Sequence, residues 1–80
     1  MSNTTNTTVK EADGWKAIKT GPSSGVFSCG SSYTFCQSDT PPADDFIGHR
    51  VSTADLIVYS LNTETLYVKC NSGIVVLTED

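Results

Sequence analysis

Three cysteines and one histidine, Cys29, Cys36, Cys70 and His49, are the residues whose types could do chemistry. A cysteine beside His49 has the makings of a thiolate nucleophile with its base. Such a site also needs a third, orienting group, and no nucleophile elbow or family-specific cysteine context surrounds any of the three. His49 therefore reads as a structural loop histidine. The same four residues have the ligand types of a zinc site. The gap between Cys29 and Cys36 is wider than the usual knuckle of two to four residues, so buried or bridged thiols are the commoner outcome. Asp39, Asp44 and Asp45 lack the alternating order of a calcium loop and read as a solvated acidic segment. Gly21, Gly25 and Gly30 do not stand at a strand-to-helix junction, where a phosphate-binding loop would lie. The expectation is a non-enzymatic protein without metal or cofactor.

Aromatic side chains offer a different chemistry. Trp15, Tyr33 and Tyr67, with Phe35 and Tyr59 nearby in sequence, could stack on a sugar ring. In a small β protein, core packing is the commoner role of such residues.

The elements that must position these side chains are short strands. WKAIKT begins after Gly14 and ends at the cluster Gly21 to Gly25. GVFSC runs into Gly30-Ser31-Ser32, SYTFCQ follows, and the spacing suggests a hairpin between the two. Val26, Phe27, Tyr33 and Phe35 are its candidate packing residues. SDTPPADD, with consecutive prolines, forbids ladder pairing and marks an exposed loop. After FIGHRV and the turn-like Ser52 to Asp55, LIVYSL reads as a strand buried on both faces. TLYVKC and IVVLTE close the chain around Asn71-Ser72-Gly73. In TLYVKC, alternation puts Leu66, Val68 and Cys70 on one face and Tyr67 and Lys69 on the other. In IVVLTE both faces are apolar: Ile74 and Val76 on one, Val75 and Leu77 on the other.

Six or seven short strands, with no sustained helical period, predict an all-β fold: a small antiparallel β-sandwich or barrel-like domain over residues 15–80. Residues 1–14 are rich in Asn and Thr, show no period, and read as a flexible N-terminal arm that orders on a partner. Eighty residues make one domain, whose core alone leaves a stability surplus of about 3–5 kcal/mol. Oligomerisation or a staple commonly supplies the rest. The doubly apolar last strand points to coverage by another subunit, with Leu56, Val58, Val75 and Leu77 as the interface residues.

The formal net charge is −4, and the five Lys and Arg are scattered. No basic stripe is present to release counterions, so nucleic acid is not an expected partner. No 18-residue apolar run spans a membrane, and the first residues lack the apolar segment of a secretory signal, which points to synthesis in a cytoplasm.

Gly14-Trp15 followed by a hydrophilic hairpin, then PPADDFIGHRV, then TETLYVKCNSGIVVLTED, resembles small virion structural proteins of tailed bacteriophages. The resemblance covers Gly14 to Glu79. It implies a non-enzymatic capsid decoration (cement) protein or a small fibre- or tail-associated component, located in the virion after synthesis in the host cytoplasm. It further implies a homotrimer seated on the major capsid protein or another virion protein. A carbohydrate- or receptor-binding fibre tip using Trp15, Tyr33 or Tyr67 is the rival reading.

The cysteines are not part of that pattern. If GVFSC and SYTFCQ form a hairpin, Cys29 lies at its turn and Cys36 several rungs up, too far apart for a bridge whose Cα atoms must come within about 7 Å. That leaves Cys70 as the partner of either, within the chain or from a neighbouring one. A disulfide involving Cys70 in the mature assembly is the resulting expectation.

Overall fold

The computed structural model describes residues 3–43, 46–52 and 56–79. Among them are eight strands: β1 (Asn3–Lys10), β2 (Lys16–Thr20), β3 (Ser23–Cys29), β4 (Tyr33–Ser38), β5 (His49–Val51), β6 (Ile57–Leu61), β7 (Thr65–Lys69) and β8 (Ser72–Glu79). They form two four-stranded sheets. Sheet I has the order β1-β8-β3-β6 and sheet II the order β2-β7-β4-β5. Every neighbouring pair is antiparallel. The protein is a small all-β sandwich.

Alternation explains the layering. From sheet I, Val9, Phe27, Cys29, Tyr59, Leu61, Val75 and Leu77 point inward; from sheet II come Tyr33, Leu66, Val68 and Cys70. Phe27 sits at the centre, its ring 5.3 Å from Phe35, 6.0 Å from Tyr33 and 6.2 Å from Tyr59. Full burial of a side chain of this kind stabilises the fold by about 1.5–3 kcal/mol. At one end the two sheets are also tied by charge. Lys19 Nζ on β2 lies 3.0 Å from Glu79 Oε1 on β8, and Ser23 Oγ donates to Glu79 Oε2 at 2.8 Å.

Four expectations are corrected. Residues 3–10 are not an arm. They pair with β8 along eight rungs, from Asn3 opposite Glu79 to Lys10 opposite Ser72, and Val9 is fully buried. A strand at a sheet edge needs one inward apolar residue and a β-tolerant sequence more than it needs a hydrophobic period, and β-branched threonine supplies that tolerance. The Asp13 carboxylate accepts from the Lys10 N–H at 3.0 Å and helps close the 3₁₀ turn Glu11–Asp13 that ends the strand.

Next, β3 and β4 are not a hairpin. β3 pairs with β6 and β8, β4 with β5 and β7, so Gly30-Ser31-Ser32 carries the chain from one sheet to the other. LIVYSL is not buried on both faces either, since Tyr59 and Leu61 face the core while Val58 and Ser60 face solvent. Finally, Val75 and Leu77 cannot belong to an oligomer interface, because both are sealed in the core of their own sandwich.

Candidate functional site

The two sheets finish their outer faces differently. On sheet II, Ala43 and Phe46, from the segment between β4 and β5, reach Trp15. Trp15 donates its indole N–H to the Ala43 carbonyl at 3.2 Å and meets Phe46 edge-on with centroids 6.1 Å apart. Lys69 Nζ lies 5.8 Å over the Trp15 ring, within range of a cation–π attraction. Tyr67 and Cys36, cross-strand partners on this face, are buried. Gly48 makes this approach possible: its φ is +70°, a region that side chains disfavour. A Cβ there would stand 2.8 Å from the Trp15 ring.

Sheet I carries no such cover among the described residues. Its register sets Thr8 beside Ile74, Asn6 beside Val76 and Ser28, and Thr4 beside Thr78, Val26 and Val58, with Ser24 beside Ser60. All these side chains lie on the outer face, and none is ionisable. Val58 is 79% exposed, Ile74 51% and Val76 39%. Leu56, one residue before β6 and 70% exposed, extends the same side by alternation. The protein carries a net charge of −4, yet among the described residues this face carries one ionisable side chain, Lys10, exposed at the end of β1 opposite Ser72. It holds an apolar diagonal from Leu56 to Ile74. An exposed contiguous apolar patch rimmed by hydroxyls and an amide is the usual signature of a protein contact.

The sequence-derived candidates distribute as follows. Leu56 and Val58 lie on this exposed face. Its other members, Ile74 and Val76, were passed over because parity alone does not say which side of a doubly apolar strand is inside. The stacking platform is not assembled: Tyr33 is in the core, Tyr67 is buried on the outer side of sheet II, and Trp15 is half-covered by Phe46 and Lys69. Cys29, Cys36 and Cys70 are all buried and unbridged. Cys36 lies on the outer side of sheet II, and burial pushes its thiol pKa up. Cys29 and Cys70 share the opposite end of the core. His49 is exposed, its ring 5.3 Å from Phe35, and with Phe46, Ile47 and Cys36 it lines an open surface cavity of about 650 Å³. No group of three or more His, Cys, Asp or Glu among the described residues is placed to hold a metal ion. No helix among them is long and apolar enough to cross a membrane. Asp44, Asp45 and the turn at 53–55 lie outside the described residues.

Comparison with family models, with curated proteins and with solved structures gives no match to this chain.

Proposed function

We propose that this protein is a non-enzymatic structural component of a phage particle. In this reading it decorates or cements the capsid through self-associating β domains seated on the major capsid protein or another virion protein. The observation that carries the reading is the solvent-facing apolar face of sheet I, whose one ionisable side chain among the described residues is Lys10 at its margin. A face of this composition is suited to contact and offers no group for turnover. The occupant we assign to it is a neighbouring copy of the same chain. Two molecules of net charge −4 repel each other, and the sheet I face, whose described residues include no carboxylate, is where they can meet without bringing acidic groups together. Trimers are the order implied by the resemblance to small phage virion proteins.

The particle context rests on that resemblance. Particles purified through a density gradient are expected to contain the chain in stoichiometric amount. Particles that lack it would contradict the assignment.

A further inference from the structure

The end of the sandwich where β3, β7 and β8 converge holds two sulfurs on one spot. Cys29 closes β3 in sheet I and Cys70 follows β7 in sheet II, so the pair spans the two layers. A Cβ placed on Gly73 of β8 would stand 2.9 Å from Cys29 Sγ and 3.2 Å from Cys70 Sγ. The missing side chain at position 73 is thus what lets both sulfurs fit. The Ser31 hydroxyl touches both as well, at 4.0 Å from Cys29 Sγ and 3.5 Å from Cys70 Sγ, while donating to the Ser72 carbonyl at 2.9 Å. Cys36, on the outer side of sheet II, has no part in this cluster. Both residues are buried, and they differ in what lies beside them. Cys70 lines an open cavity of about 210 Å³ with Ser32, Arg50, Lys69 and Asn71, whereas Cys29 does not.

We infer that Cys29 and Cys70 are a site of thiol–disulfide exchange, closed to an intrachain bridge between the two sheets by a small anionic disulfide such as oxidised glutathione. The asymmetry of access orders the steps. The Cys70 thiolate, having given up its proton, attacks one sulfur of the oxidant, forming a mixed disulfide and releasing one glutathione thiolate. The Cys29 thiolate then attacks the Cys70 sulfur, and the second glutathione leaves. Two protein thiols are oxidised, one small disulfide is reduced to two thiols, and the two protons pass to the two released thiolates. Arg50 and Lys69 at the cavity suit the carboxylates of the oxidant. The Ser31 hydroxyl keeps its bond to Ser72 throughout. The bridge closes a loop of some forty residues.

The test is refolding of the full chain from urea in a glutathione redox buffer, followed by chymotryptic mass mapping without reduction. Cleavage after Tyr33 and Phe35 separates Cys29 from Cys36, which trypsin leaves on one peptide. The expected product is a single covalent chain two hydrogens lighter than the reduced one, with Cys29 and Cys70 peptides joined. Its melting temperature should rise by on the order of 10 °C, reversibly with dithiothreitol. Cys36→Ser should keep both the joined peptide and the rise. Cys29→Ser should lose both and accumulate a glutathione adduct on Cys70 in the native protein. Three alkylatable thiols after oxidative refolding, a Cys36-containing bridge, a disulfide-linked dimer, or an adduct on Cys36 in place of Cys70 would each overturn the inference.

Discussion

The outer faces of the two sheets are built from the same strand lengths and the same alternation, yet one is closed and the other is open. On sheet II, Phe46 leans on Trp15, Ala43 takes the indole N–H, and Tyr67 and Cys36 are buried. Sheet I exposes Val58, Ile74 and Val76 among threonines and serines, with Lys10 at the end of β1 as the one ionisable side chain on that face among the described residues. An 80-residue chain has material to cover one face. The difference is in what is left bare. On the sheet II side the exposed apolar residues, Phe46 and Ile47, belong to the connection, whereas on sheet I they belong to the strands themselves. That apolar diagonal is where a second molecule gains by burying area.

Removing a strand from the open sheet is the harshest way to break this comparison. Deleting residues 1–10 takes away Val9 from the core, the Thr4-Asn6-Thr8 column of the open face, and the whole ladder that covers β8. The truncated chain is expected to lose its cooperative urea transition. A truncated chain that still unfolds cooperatively at the full-length midpoint would return residues 3–10 to the status of an arm.

Uncovering the closed sheet comes next. Trp15→Ala removes the ring that holds Phe46, Ala43 and Lys69 together, and should destabilise the domain by about 2–4 kcal/mol, below the value for a fully buried tryptophan because Trp15 is half-exposed. Gly48→Ala should cost about 1–2 kcal/mol, since it forces a methyl group into positive φ and against the same ring. Both are read from denaturant midpoints at unchanged slope.

A smaller effect separates the faces by pH. Hydrogen bonds from Lys19 and then Ser23 hold the Glu79 carboxyl below the usual carboxylate range. Its folded-state pKa is lower than in the unfolded chain. The contribution is therefore present above the ordinary carboxylate pKa and is lost as pH falls through the depressed one. Glu79→Gln should remove that contribution near neutrality and flatten the acid limb, so that the parent's advantage over the variant is lost as pH falls through the depressed pKa. An acid limb identical to that of the parent would show that the Lys19–Glu79 tie carries no linkage.

Much of this was legible in the sequence, and the exceptions are instructive. TLYVKC declared its parity because one side of it is Leu, Val and Cys while the other is Tyr and Lys. IVVLTE did not, because valines and isoleucine occupy both parities, and only tertiary packing chose Val75 and Leu77 for the interior. The hairpin expected at Gly30-Ser31-Ser32 failed for a related reason. A turn signal says that the chain changes direction, and not whether it returns within one sheet or crosses to the other. β1 stayed hidden because its pairing is made by backbone groups and its single core residue, Val9, gives no period to read. The site was half-visible: Leu56 and Val58 were found from apolar content, whereas Ile74 and Val76 needed the register of β8 against β3 to be placed on the same surface.

The most direct measurement is the molar mass in solution of the parent and of a Val58→Asp, Val76→Asp double variant, by light scattering at micromolar concentration. Both positions are solvent-facing, so each substitution should change the stability of the isolated domain by only about 0.5 kcal/mol. The parent is expected as an oligomer, a trimer at about three times the 8.5 kDa chain. The variant is expected as a folded monomer with a nearly unchanged urea midpoint. A monomeric parent, or a variant that keeps the parent's mass, would contradict the assignment of the sheet I face as the surface through which copies of this chain meet.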